Sequence, residues 1–106
     1  MIYAVKISDE AGSDLRGIYE YIAFDLLVPE TAANQLERLK KSILGLKEMP
    51  KRFPLYQKEP WLSRGMRFVP VDNFIVYYIP DDEKGVVTVL RVMYSGRNID
   101  EEFKKV

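Results

Sequence analysis

Neither cysteine nor histidine occurs among the 106 residues. The first absence removes disulfides and thiolate metal sites, the pattern expected of a chain kept in a reducing compartment. The second removes the side chain that titrates nearest neutrality and is the commonest metal ligand. A zinc hydrolase and a Ser-His-Asp enzyme are thereby excluded, and any proton transfer must use carboxylate, tyrosine, lysine or arginine. No apolar run approaches membrane-spanning length. The opening Met1-Ile2-Tyr3-Ala4-Val5-Lys6 lacks the basic and long apolar regions of a signal peptide. No repeat, linker or low-complexity segment occurs. The expectation is a cytoplasmic protein with no membrane partner, no metal and no cofactor.

What is present fits one globular domain spanning 1–106. Apolar content of 47% and charged content of 30% are ordinary for such a domain, and the length supports a single core. The formal net charge of zero hides an asymmetry. Residues 1–37 set two cations against seven carboxylates, net −5; residues 38–67 set nine against two, net +7; residues 68–106 set five against seven, net −2. Polyanion binding depends on such local density and not on the total, so the basic middle is a candidate contact surface.

Alternation from Ile2 to Ser8 predicts a first strand. Ser8 or Asp9 supplies an N-cap for an amphipathic helix running to about Asp25, with Ala11, Leu15, Ile18, Tyr19 and Ile22 at helical spacing. Pro29 opens a second helix whose buried stripe is Ala32, Leu36, Leu39, Ile43 and Leu46, and Met49-Pro50 ends it. The short link at Leu26 to Val28 makes the pair an antiparallel hairpin. Lys51 to Gly65 reads as a long loop rich in proline, aromatics and cations. Three strands follow: Met66 to Val71, Phe74 to Ile79, and Val86 to Tyr94. Asn98 to Val106 reads as a short terminal helix. The order is β-α-α-β-β-β, an α+β fold with the hairpin packed on one face of an antiparallel sheet.

These residues resemble the RelE/ParE superfamily of bacterial type II toxins over nearly the whole chain. The resemblance rests on Ala11…Asp14-Leu15…Ile18…Tyr21-Ile22, on Leu46…Pro50, and on Gly65-x-Arg67. It continues through Val76-Tyr77-Tyr78 and Val89-x-Arg91-Val92-x-Tyr94-x-x-Arg97. It implies a growth-arresting toxin neutralised by a cognate antitoxin that wraps its working surface. The superfamily holds two target classes on one fold: RelE-like toxins cleave mRNA in the ribosomal A site, and ParE-like toxins poison DNA gyrase.

Metal-free RNA cleavage needs a base for the 2′-hydroxyl, a cation at the phosphorane and an acid for the leaving oxygen. The resemblance offers Arg67 for the phosphate, Tyr94 for proton transfer and Arg91 as a neighbouring cation. In a regular strand, alternation puts Arg91 and Tyr94 on opposite faces, so a shared site requires a bulge or a strand end between them. Glu59 resembles a base used by some RelE-like nucleases, though a solvated loop glutamate is the simpler reading. Lys51, Arg52, Lys58, Arg64 and Arg97 are candidates for contact with target or antitoxin. Tyr56 and Trp61 are candidates for base stacking or, more ordinarily, for core packing. The sequence narrowly favours a ribosome-dependent mRNA endonuclease, with ribosome and mRNA as partners. The alternatives are a non-enzymatic inhibitor of DNA gyrase and a detoxified antitoxin-binding module. The oligomeric state implied is a homodimer or a hetero-oligomer with the antitoxin.

Overall fold

In a computed structural model, residues 1–97 and 99–104 are described; Asn98, Lys105 and Val106, which the expected terminal helix includes, lie outside them. The chain forms β1 (Ala4–Ile7), α1 (Asp9–Glu20), α2 (Pro29–Gly45), β2 (Arg67–Val71), β3 (Phe74–Asp81), β4 (Val86–Tyr94) and α3 (Ile99–Lys104). A π-helical turn, Tyr21–Asp25, extends α1, and a 3-10 turn, Pro50–Arg52, follows α2. Ser8 is the N-cap of α1: its hydroxyl accepts from Ala11 N–H at 3.0 Å, and Asp9 and Glu10 face the positive end of the helix dipole.

The sheet order is β1-β4-β3-β2. β2, β3 and β4 form the expected antiparallel meander, but β1 joins β4 in parallel, with Ala4 opposite Val86 and Ile7 opposite Val89. The sheet is therefore mixed and not purely antiparallel. The helices, the loop and two strands intervene between β1 and β4, which supplies the long crossover a parallel pair needs. From Met66 to Phe68 the edge beside β2 is covered by the loop, through Tyr56 N–H to Met66 O (2.9 Å) and Phe68 N–H to Pro54 O (3.2 Å). Pro70, two residues on, presents no N–H to a foreign strand.

Helix α2 ends at Gly45, four residues before the expected stop at Met49. The chain is pulled away there because Tyr3 N–H bonds to Lys47 O at 2.8 Å and Ile2 bridges to Glu48. Those contacts tie the segment to the sheet edge. Met49 then takes a left-handed conformation (φ 48°) ahead of Pro50, which the pre-proline restriction on the α region makes a natural break.

The sheet is buried on both faces. On one, the hairpin contributes Ala11, Leu15, Leu39, Ile43 and Leu46 against Val69, Val76, Tyr78, Val87, Val89 and Val92. On the other, Met66, Tyr77 and Met93 pack with Phe103 of α3, flanked by Tyr56, Trp61 and Phe68. Three consecutive buried residues in β3, Val76-Tyr77-Tyr78, reflect this two-sided burial. Tyr56 and Trp61 are thus core-packing residues: Trp61 lies 4.6 Å from Phe103 and Tyr56 lies 6.0 Å from Tyr77, ring centre to ring centre.

Candidate functional site

Arg91 leaves the core through a β-bulge. Val89 pairs with Tyr78 and Arg91 with Tyr77, so Leu90 is the extra residue opposite that step. The extra residue lets Val89 and Val92 both face the hairpin and sends Arg91 to the strand edge. Asp14 of α1 meets it there. Its carboxylate accepts from Arg91 Nε at 2.7 Å, from Arg91 NH2 at 3.0 Å, and from Val92 N–H at 2.9 Å. The Arg91 and Asp14 side chains are 11% and 14% exposed. This bidentate contact holds the Arg91 proton more firmly than in water, against the opposing effect of burial. Glu102 of α3 approaches Arg91 to 3.8 Å and Arg97 to 3.9 Å, so one guanidinium links both layers that cover the sheet.

Arg67 is also committed. Its NH1 donates to the carbonyls of Lys51 (3.0 Å) and Phe53 (2.6 Å), anchoring the start of the basic loop to β2. Beside it the buried Tyr78 hydroxyl donates to Pro50 O at 2.5 Å. Burial pushes the Tyr78 phenol up to about 12, despite the opposing pull of Arg67 and Arg52. Lys51 pairs with Asp82, whose other oxygen accepts from Tyr3 at 2.7 Å; the Lys51 hydrogen bond, then that of Tyr3, holds the Asp82 carboxyl below its ordinary range. Arg52 lies 4.8 Å from the Phe53 ring centre and donates to Glu48 O. Arg64 lies 5.1 Å from the Trp61 ring centre. Lys58 is exposed, and its carbonyl accepts from Leu62 N–H. Glu59 accepts from both the hydroxyl and the N–H of Ser63, which keeps it ionised below the usual carboxylate range; its geometry is that of a local turn cap.

Tyr94 lies at the far end of the sheet, its ring edge-on to that of Phe74 with centroids 6.2 Å apart. It is 54% exposed, opposite Phe74, and its ring lies over Gly96, where a Cβ would come within 2.6 Å of the ring edge. With Arg97 it flanks a cleft of about 610 Å³ against α1, lined also by Ser13, Asp14, Gly17 and Tyr21. The register separates it from Arg67: Val71 is two strands across from Tyr94, and Arg67 lies four residues along β2 from Val71. At about 3.3 Å per residue and 4.8 Å per strand, their Cα atoms are roughly 16 Å apart. The bulge precedes Arg91, so pairing runs regularly from Arg91 to Tyr94 and leaves them on opposite faces. The structure therefore brings Arg91 to Asp14, Arg97 to Glu102 and Lys51 to Asp82, but it does not join Arg67, Arg91 and Tyr94.

Comparison with known proteins bears on a chain with this topology. The family model described as ParE toxin of type II toxin-antitoxin system, parDE, matches residues 5–99. The chain belongs to the ParE toxin family. It is the toxin of a type II toxin–antitoxin system, within the RelE/ParE superfamily. Solved structures that share its fold include the following three. The chromosomal ParDE system of P. aeruginosa aligns at TM-score 0.71 and 19% identity, over 88% of this chain and 96% of that one. A free E. coli RelE mutant aligns at 0.68 and 20%, over 100% and 99%. The RelBE2 complex of Mycobacterium tuberculosis aligns at 0.64 and 21%, over 89% and 99%. No curated protein matches by sequence. Among the described residues of this ParE-family chain, no helix is long and apolar enough to cross a membrane, and no side-chain group is arranged to hold a metal.

Two features of this family member escaped the sequence. Asp14 sits on the apolar stripe of α1, between Ala11 and Ile18, and a carboxylate there signals a buried partner. The partner is 77 residues away, beyond the reach of pattern reading. The other is the exposed run Leu26-Leu27-Val28, visible as apolar residues at a hairpin turn where polar ones are usual.

Proposed function

We propose that this toxin acts by binding and not by cleaving RNA: it is a ParE-like inhibitor of DNA gyrase, held inactive in the cytoplasm in a hetero-oligomer with a cognate antitoxin. One observation carries the reading. The cation best suited to a scissile phosphate, Arg67, has a guanidinium nitrogen engaged by two backbone carbonyls, and it lies across the sheet from Tyr94. Stabilising a phosphorane and protonating its leaving oxygen requires both groups at one phosphate, within hydrogen-bond reach. Two further points support the reading. Arg91 is neutralised by Asp14, and the sheet face beneath α3 is apolar and aromatic. The matching family model, that of the parDE toxins, weighs the same way. The antitoxin is proposed because the solved relatives include ParDE and RelBE complexes.

These points reverse the narrow preference for an endonuclease drawn from sequence. Induced expression tests the reading. The expected result is a DNA-damage response and filamentation while protein synthesis continues at first. Immediate arrest of translation, with mRNA cut at codons held on ribosomes, would instead establish the nuclease.

A further inference from the structure

From Gly17 to Glu37 the chain carries no cation, while Glu20, Asp25, Glu30 and Glu37 supply carboxylates. The turn of the helical hairpin falls inside this stretch, and its apolar side chains face solvent. Tyr21, Phe24, Leu26, Leu27 and Val28 are all exposed, Phe24 at 66% and Leu27 at 77%. A single exposed leucine needs no explanation. A cluster of large apolar side chains at one turn, rimmed by charge, is the signature of an interaction surface.

The backbone shows that this exposure is not a by-product of packing. Leu26 N–H bonds to Tyr21 O at 3.0 Å and Val28 N–H to Ile22 O at 3.1 Å, closing the helix with Leu27 at φ 58°. Helix ends of this kind place glycine or asparagine in the left-handed position, because a Cβ is strained there. Leucine at this position neither relieves the turn nor contributes to the core. The preceding π-helical turn, Tyr21–Asp25, is itself a rare conformation concentrated at functional sites. Stability alone disfavours a strained leucine held in water, whereas a binding anchor requires the display.

Charge selects the occupant. Arg16 and Lys40 line a groove with Tyr19 and Glu20, and Arg97 lines the cleft with Tyr21, so cations stand beside the start of the tip. Around residues 24–28 the flanking charges are the carboxylates Asp25 and Glu30, which repel both nucleic acid and anionic membrane surfaces. They complement a protein surface whose apolar groove is edged by basic residues. We propose that the hairpin tip, residues 21–28, is the anchor by which the toxin docks on its protein target. This rests on the reading that the chain acts by binding gyrase.

The test pairs the wild type with a Phe24→Ser, Leu27→Gly double variant. Supercoiling by purified gyrase holoenzyme and binding to the cognate antitoxin are measured together with thermal melting. The variant should require at least about tenfold more protein for half-inhibition, the loss expected when an anchor is removed. Its melting and antitoxin affinity should match the wild type. Equal inhibition by both proteins would overturn the proposal, as would a variant that loses antitoxin binding alone. Should the wild type leave gyrase untouched, the gyrase reading fails separately, and growth arrest on induction becomes the readout. A folded variant that still arrests growth then overturns the anchor, and one that no longer does so supports it. A wild type without any growth effect has no target to dock on and overturns it too. Leu27→Gly alone, which relieves the turn, serves the same comparison if the double variant unfolds.

Discussion

Replacing Asp14 by alanine removes the acceptor shared by Arg91 Nε, Arg91 NH2 and Val92 N–H. The guanidinium would keep Glu102, at 3.8 Å, and the charge of Glu10, and the Val92 amide would lose its partner at the strand edge. Removing one member of a buried ion pair costs roughly 3–5 kcal/mol. The residual exposure of 11% and 14%, together with Glu102, places this pair at the low end, about 3 kcal/mol. For a domain of this size that lowers the melting temperature by about 12 °C or more. Thermal and urea unfolding of the purified chain measure it. Adding Arg91→Met to Asp14→Ala removes the stranded charge and should recover more than half of the loss, leaving about 1 kcal/mol for the unpaired Val92 amide. If Asp14→Ala falls within about 0.5 kcal/mol of the wild type, or if the double variant is the less stable of the two, the account of a buried clamp is refuted.

Phe103→Ala should cost about 3 kcal/mol, since the ring is 7% exposed and packs on Trp61 and Tyr77. The emission of Trp61, the sole tryptophan, should shift red as α3 loosens. Tyr77 and Tyr78 are both pushed up to about 12 by burial, so each stays neutral in the fold at pH values where the unfolded phenol ionises. Stability should therefore be full below pH ~10 and fall as pH rises from ~10 through ~12; urea midpoints across that range measure it, and a flat profile would contradict the burial argument. Arg67→Met should destabilise by about 1–2 kcal/mol through loss of its bonds to the Lys51 and Phe53 carbonyls, and limited proteolysis should cut faster within 51–65. Abolished toxicity in a variant that remains folded would return Arg67 to a direct role.

Much of the fold was legible because its signals are local. A cap at Ser8 or Asp9, of which the structure uses Ser8, Pro29 at the start of α2, the two-residue gap between the strands ending at Val71 and starting at Phe74, and the full extent of β4 each follow from a few neighbouring residues. The parallel seat of β1 and the early end of α2 were not legible, since both depend on pairing between segments far apart in sequence. The site divided along the same line. Arg67, Arg91 and Tyr94 stand out as charged or polar residues on apolar strands, but their environments come from elsewhere: Asp14 in α1, the Lys51 and Phe53 carbonyls in the loop. Alternation did separate Arg91 from Tyr94, and the bulge at Leu90 leaves that separation in force because it falls before Arg91. The left-handed Leu27 had no local cue, for nothing in Leu26-Leu27-Val28 announces a conformation that glycine normally takes.

The most direct measurement is a paired assay of one preparation of the toxin, on gyrase with supercoiled plasmid and on translating ribosomes with a defined mRNA. The account predicts loss of gyrase activity or trapped DNA cleavage, with intact message on the ribosome, both reversed by the cognate antitoxin. Message cut on the ribosome while gyrase works normally would contradict it.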